Sequence, residues 1–167
     1  MLGKINLFQQ FNTTTNCKRI ENNEVNNGFC FVDFENYRTY TNGNTVERSF
    51  LEWLIGFVEG DGSFTIAGRN SELSFVVVQK EKFVLDYIKQ KLGFGYVCKH
   101  GPDTWAYKIT NMVDLYKVLL ILNGNILLEH RKKQVAKFVK VFNQKVQKQS
   151  NKYKANAFSL KPINLRV

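Results

Sequence analysis

Two carboxylates bracketed by glycines, in Glu59-Gly60-Asp61-Gly62, end a strongly apolar stretch that begins at Phe50. The last carbonyl groups of a helix already concentrate negative charge, so a carboxylate such as Asp61 is disfavoured there. Divalent cations remove this conflict, because carboxylate and backbone carbonyl oxygens are hard ligands suited to Mg²⁺. The stretch therefore predicts a divalent-metal site. The alternative is a simple acidic helix cap, with Gly62 in a left-handed turn.

Gly56 and Gly60 are four residues apart, so they lie on one face of the same helix. Each glycine inside a helix costs about 1 kcal/mol relative to alanine, so the spacing should serve a purpose. Small residues let two backbones approach closely, and we expect the neighbour to be a second copy of this helix. Two such helix ends would bring like charges together, which metal ions would neutralise. Metal in contact with a phosphodiester can activate water, so the residues favour a nuclease at a dimer interface.

The elements that must hold this site form an alternation of helices and hairpins. Ser49 followed by Glu52 has the spacing of a capping box, and the helix that it opens runs to about Gly60. That helix is apolar on nearly all sides, so we expect it to be buried nearly all round. Hydrophobic periodicity predicts hairpins at 63–80 and 94–111, and helices at 82–92, 112–122 and about 127–149. This order predicts an α+β domain whose antiparallel sheet has one face covered by helices and one free face.

Composition divides the chain into an Asn-rich N-terminal extension at 1–44, a domain at 45–149 and a basic tail at 150–167. The extension holds one apolar patch, FCFVDF at 29–34, which we interpret as a strand or an arm that docks onto the domain. No apolar run approaches the roughly 20 residues needed to span a bilayer. The three cysteines lack metal-ligand spacing, so we expect reduced thiols in an intracellular compartment.

The free face of the sheet is a candidate surface for DNA. If large apolar residues such as Phe64 and Tyr107 point toward the helices, the opposite face is polar and mildly basic. A twisted antiparallel sheet of this kind can read base edges in the major groove with every second side chain. A merely solvated face is the alternative. The residues on this face are Thr65, Ala67, Arg69, Ser74, Cys98, His100, Ala106, Lys108 and Thr110.

Charge also favours a nucleic-acid partner. The 167 residues carry a formal net charge of +10, and residues 129–167 hold eleven Lys and Arg against the single acid Glu129. Such a run repels itself unless phosphates neutralise it. A membrane surface is a weaker alternative, because we expect the core to use the apolar face of the basic helix, from Val135 to Phe142.

The stretch from Leu54 to Gly62, LIGFVEGDG, resembles the nine-residue LAGLIDADG motif, with Leu54, Gly56, Asp61 and Gly62 identical to it. LSFVVVQK, LGFGYV and LLEHRKKQ follow in the expected order, so the resemblance covers about 49–145. The family is the LAGLIDADG homing endonucleases, many of them encoded by organellar introns. The resemblance implies an αββαββα fold with a saddle-shaped sheet on DNA.

The resemblance also implies roles for single residues. Asp61 would be the catalytic carboxylate that binds Mg²⁺, and Gly60 would offer its backbone carbonyl to the metal. Gln79 would position active-site water, while Arg131, followed by Lys132, would lie near the scissile phosphate.

Further residues complete the implied site. Lys133 is the next basic candidate for contact with DNA, and Glu59 replaces the motif's earlier acid in a supporting role. The implied contact between motif helices includes Leu54, Gly56, Phe57 and Gly60.

A single motif implies a homodimer on a long pseudo-palindromic double-stranded DNA target, with one half-site per subunit. Because NAFSLKPINLRV near the C-terminus resembles a linker into a second motif, pairing with a different LAGLIDADG half is the alternative. The implied activity is site-specific double-strand cleavage. An intron maturase that binds RNA and a DNA-binding domain without catalysis are the other hypotheses, and the implied location is a mitochondrion or chloroplast.

Overall fold

The structure, a computed structural model, describes residues 28–40, 45–148 and 160–166. The helices and strands described all fall within the compact unit that begins at Phe31. In chain order they are α1 Val32–Tyr40, α2 Arg48–Asp61, β1 Gly62–Ala67, β2 Glu72–Gln79, α3 Lys82–Leu92, β3 Tyr96–Lys99, β4 Trp105–Ile109, α4 Met112–Leu122 and α5 Glu129–Lys148.

The four strands form one antiparallel sheet in the order β1-β2-β4-β3. Phe64 pairs with Phe75, which pairs in turn with Ile109. All three side chains are buried, because residues directly opposite each other in a sheet share a face and this face meets the helices. The predicted α+β class and the αββαββα order from α2 to α4 are confirmed, with α1 before them and α5 after.

Helix α2 differs from its prediction at its start and on one side. It begins at Arg48 with Glu47 as N-cap and no capping side chain. Ser49 therefore lies inside the first turn, and Glu52 pairs with Arg48 at 2.8 Å, so the predicted capping box is wrong. The prediction of burial on nearly all sides is also wrong, because the side chain of Trp53 is 42% exposed.

Two other local predictions are corrected. Val32–Tyr40 is a helix, so the FCFVDF patch is not a strand; acids in the first turn of α1 and Arg38 in its last turn suit the helix dipole. The hydrophobic periodicity that predicts the helix at 82–92 counts Phe83 among its apolar positions, but Phe83 is 69% exposed. It lies two residues before the buried Leu85, which places the two side chains on opposite sides of a helix.

Two cysteines and the helices α1 to α5 lie within the residues that the structure describes. Cys98 is a free thiol. Cys30 is disulfide-bonded, so the prediction of reduced thiols is wrong for this residue. Among the described helices, none combines the length and the apolar character that crossing a membrane requires.

Candidate catalytic site and nucleic-acid interface

Asp61 and Gln79 meet at the point where α2 runs into the sheet. Asp61 is the last residue of α2 and Gln79 the last of β2. The pairing of Gly62 with Val77 brings these ends together, and Gln79 Nε2 donates to Asp61 Oδ2 at 2.7 Å. The Asp61 side chain is exposed. The structure thus joins two residues that the family resemblance singled out, and it leaves the carboxylate accessible.

The junction at Gly62 passes from helix to strand without a loop. Gly62 has φ −71° and ψ 143°, which is extended backbone, so the alternative of a left-handed turn at this residue is wrong. A Cβ added here would lie 2.6 Å from the carbonyl oxygen of Val58. The position therefore needs glycine because the strand starts so close to its own helix, and this tight junction presents Asp61 at the edge of the sheet.

Glu59 has a different environment from Asp61. Its side chain is 9% exposed, and its Oε1 accepts from the backbone N–H groups of Leu127 and Leu128, the latter at 2.7 Å. These residues immediately precede α5, where the positive end of the helix dipole favours a carboxylate. Glu59 therefore anchors the beginning of α5 to the end of α2.

Arg131, on α5, forms hydrogen bonds with main-chain carbonyls at the end of α2. Its guanidinium donates to the carbonyls of Glu59 at 2.8 Å, Gly60 at 2.9 Å and Gly62 at 2.6 Å, and also to Gln134 Oε1. The last carbonyls of a helix have no hydrogen-bond donor within the helix, and Arg131 provides the donors here. Most donors of Arg131 are thus engaged with the main chain, and the Gly60 carbonyl, predicted as a metal ligand, faces a cation.

Lys132 and Lys133 lie near the beginning of α5, half-buried and exposed respectively. No hydrogen bond or ion pair in the described part of the chain joins either lysine to Asp61 or Gln79. In the same residues, no group of three or more His, Cys, Asp or Glu side chains could hold a metal ion.

The exposed side of α2 carries Trp53, Gly56, Phe57 and Gly60, at the spacing of one helical stripe. Trp53 stacks on Phe57 with ring centroids 5.0 Å apart, and a Cβ on either glycine would meet nothing within 4 Å. Leu54 is 3% exposed and belongs to the core, so its predicted place on this surface is wrong. Sequence analysis missed Trp53, although its spacing of three and four residues from Gly56 and Phe57 was the available signal.

The free face of the sheet is less polar than predicted. Alternation along the strands places Thr65, Ser74, Lys108 and Cys98 on it. The same alternation adds residues that sequence analysis missed, namely Ser63, Glu72, Val76, Val78 and Tyr96. Ala106 is fully buried although it lies on this face, because it is paired with Val78 and Cys98 on the flanking strands.

The remaining predicted positions lie at the ends of strands. Ala67 ends β1 and is exposed, and Arg69 lies in the exposed turn that follows it. His100 directly follows β3 and Thr110 directly follows β4, and both are exposed. The candidate interface is thus a mixture of polar and apolar side chains, with Lys108 within the sheet and Arg69 in the turn at its end.

Comparison with known proteins identifies a matching family and several intron-encoded relatives. The model for the LAGLIDADG endonuclease family matches residues 54–142. The chain is 41% identical over 103 residues to a probable intron-encoded endonuclease 4 of Neurospora crassa, covering 59% of this chain and 19% of that protein. It is 28% identical over 106 residues to the intron-encoded RNA maturase bI4 of Saccharomyces cerevisiae, covering 63% of this chain and 16% of the maturase. The chain therefore spans less than a fifth of either relative.

A solved structure supports the fold. The LAGLIDADG meganuclease I-CpaMI, bound to uncleaved DNA, has a TM-score of 0.50 and 22% sequence identity with this chain. The match covers 60% of this chain and 37% of the meganuclease.

Proposed function

This chain belongs to the LAGLIDADG endonuclease family, and from that premise we propose that it is a site-specific endonuclease that hydrolyses double-stranded DNA with divalent metal at Asp61. One observation carries the proposal. The motif's last acid is an exposed carboxylate, and the amide of Gln79 fixes its orientation. A structural carboxylate would instead be enclosed, as Glu59 is.

The donor set at Asp61 fits a hard cation such as Mg²⁺. Gln79 occupies Oδ2, and no hydrogen bond within the described residues occupies Oδ1. Gly60 fits less well, because the Arg131 guanidinium already engages its carbonyl and repels a cation at the second lone pair. Asp61 is therefore the principal ligand that this chain offers. Bound metal would supply activation of water and stabilisation of the leaving oxygen.

The residues around Asp61 have positioning roles in this proposal. Gln79 holds the carboxylate through its amide nitrogen, which leaves its carbonyl oxygen available to orient a water molecule. Arg131 keeps the end of α2 in place through the main chain. Lys132 and Lys133, near the beginning of α5, are the cations with freedom to approach a scissile phosphate.

A second LAGLIDADG helix would complete the site, because the exposed side of α2 has two glycines with open space above them. We expect a second copy of this chain on a pseudo-palindromic target, with a different LAGLIDADG half as the alternative. Gly60→Leu should then reduce the sedimentation mass of the wild-type assembly to that of a monomer. An unchanged mass would contradict helix-to-helix pairing at this surface, and an unchanged far-UV spectrum would exclude misfolding as the cause.

The second candidate function is an intron maturase, supported by the similarity to a relative named as an RNA maturase. For either function we propose an organellar location, a mitochondrion or chloroplast. The names of the fungal relatives support this, since several are called intron-encoded and one is a cox1 intron-2 protein of Schizosaccharomyces pombe.

The deciding experiment incubates purified protein and Mg²⁺ with DNA that spans the intron-less form of its host gene. Wild-type protein should cut both strands with a stagger. Asp61→Asn should lower the cleavage rate by at least about a hundredfold, because the metal loses its principal protein ligand. DNA affinity should stay within about threefold of wild type. Asp86→Asn, which removes an exposed carboxylate on α3, is the matched control.

Other outcomes are equally informative. Loss of both cleavage and DNA binding in Asp61→Asn would show that Asp61 is structural. Absence of cleavage by the wild-type protein, together with binding to intron RNA, would replace the endonuclease with the maturase.

A further inference from the structure

Helix α5 runs beside strand β1 and touches β1 or the turn after it at three points, seven residues apart on the helix. Seven residues are about two helical turns, so the three contacts share one face of α5. The contacts are Arg131 Nη1 to the Gly62 carbonyl at 2.6 Å, the Phe138 ring to the Phe64 ring at 5.3 Å, and Lys145 Nζ to the Asn70 carbonyl at 2.7 Å. The helix therefore connects the Asp61 end of the sheet to the β1–β2 turn at the opposite end.

A cleft opens between that turn and the last part of α5. Its lining residues are Arg69, Asn70, Ser71, Val141, Gln144, Lys145 and Lys148. We call this the distal basic cleft. Three of its residues are cations and none is an acid, and none of the three cations forms an ion pair in the part of the chain that the structure describes. Concentrated like charge raises the electrostatic free energy of the cleft and attracts an anion.

The cleft also offers neutral donors. Ser71 and Gln144 line it beside the cations, and because a hydroxyl and an amide can both donate, one oxyanion could accept from charged and neutral groups. The nearest acid along the chain, Glu72, pairs with Ala67 on β1 and does not line the cleft. This chemistry suits a phosphodiester group, which presents two acceptor oxygens and one negative charge.

We propose that the distal basic cleft binds a backbone phosphate of the DNA target, about six nucleotides away from the scissile phosphate. Fourteen residues separate Arg131 from Lys145, which corresponds to about 21 Å along α5. B-form DNA rises about 3.4 Å per nucleotide along a strand, which gives the spacing of about six. The proposal rests on the proposed function in naming DNA and in counting from the cut.

DNA is favoured over RNA by continuity of the surface. Arg69 follows the end of β1, the strand whose Thr65 and Ala67 lie on the free face of the sheet. A duplex lying on that face would continue past the turn into reach of the cleft. Such a contact adds affinity and fixes register, but it carries no sequence information.

The test compares two double variants that remove equal charge. Arg69→Gln with Lys148→Gln alters the cleft, and both side chains are exposed. Lys145 is left intact because it bonds the turn. Lys137→Gln with Lys140→Gln is the matched control, since both lysines are exposed on α5 and neither lines the cleft.

The measurement is binding to a duplex of arbitrary sequence, about 30 bp long, over a KCl series in EDTA, so that cleavage has no influence. Each lost phosphate contact lowers the slope of log Kd against log salt by about 0.9, so the cleft variant, which loses one contact, should lose about 0.9 and the control much less. Equal losses in the two variants would overturn the proposal. A variant that loses affinity for intron RNA but not for DNA would assign the cleft to RNA and overturn it as well.

Phosphate ethylation interference on a cleavable target tests the position. Wild-type protein should show interference about six nucleotides outward from each cut, and the cleft variant should lose that signal alone. Unchanged interference at this position would overturn the proposal. If no DNA is cleaved, the proposed function fails while the salt series still decides the cleft. If DNA is cleaved and the slopes agree, only the cleft assignment fails.

Discussion

The two carboxylates of the motif, Glu59 at its buried end and Asp61 at its exposed end, have different environments although only one residue separates them. Glu59 accepts two backbone N–H groups at the beginning of α5, and Arg131 covers the neighbouring carbonyls. Asp61 has one amide partner and is exposed. Successive helical residues point about 100° apart, so Glu59 and Asp61 project from different sides of α2. The first carboxylate holds the fold together, whereas the second is free to do chemistry.

The contacts of Glu59 and Arg131 stabilise the helix end at which Asp61 is energetically unfavourable. An exposed acid at a helix C-terminus opposes the helix dipole. The cost is offset two residues earlier, where the same helix end is bonded to α5 by Glu59 and, in the reverse direction, by Arg131. The catalytic proposal for Asp61 and the structural role of Glu59 can therefore be separated by mutation.

The largest effect on stability should come from Glu59→Ala. Removing this side chain leaves two partly buried N–H groups without an acceptor, and each such loss costs about 1–3 kcal/mol, so the free energy of unfolding should fall by about 3 kcal/mol. Asp61→Ala is the matched control and should change it by less than about 0.5 kcal/mol. Urea unfolding measures both. Similar losses in the two variants would abolish the distinction between the two ends.

Arg131→Ala should have the next largest effect, a loss of about 2 kcal/mol in unfolding free energy, because three main-chain carbonyls lose a charged donor. Arg131→Lys should recover less than half of this, since one ammonium group cannot reproduce the guanidinium fork. Lys133→Ala, two residues further along α5 and exposed, serves as the control and should be neutral within about 0.5 kcal/mol. Full rescue by lysine would mean that charge alone matters at this position.

Most of the fold could be predicted from hydrophobic periodicity. The predicted helices at 82–92 and 112–122 are confirmed as α3 and α4, and Gly93 ends α3 in the left-handed conformation that glycine favours. The sequence pattern was misleading at the start of α2. A serine three residues before a glutamate fits a capping box, but the helix starts one residue before that serine, at Arg48.

The candidate site was predictable only in part. The resemblance selected Asp61 and Gln79, which do meet. Nothing in the local sequence indicates that Glu59 accepts hydrogen bonds from Leu127 and Leu128, which lie 68 and 69 positions further along the chain. The same is true of the bond from Arg131 to the Glu59 carbonyl, across 72 positions. Those partners depend on how α5 packs, and spacing within one helix carries no information about it.

The smallest effect on stability, and a clear effect on activity, is expected from Gln79→Ala. The bond from Gln79 to Asp61 is exposed, so its loss should change the free energy of unfolding by less than about 0.5 kcal/mol. Cleavage should still fall by about tenfold or more, because the carboxylate is no longer held in one orientation. Single-turnover rates with saturating Mg²⁺ would measure this. A stable variant with wild-type rates would show that the exposed end of the motif does not need Gln79, and that Asp61 alone distinguishes it from the buried end.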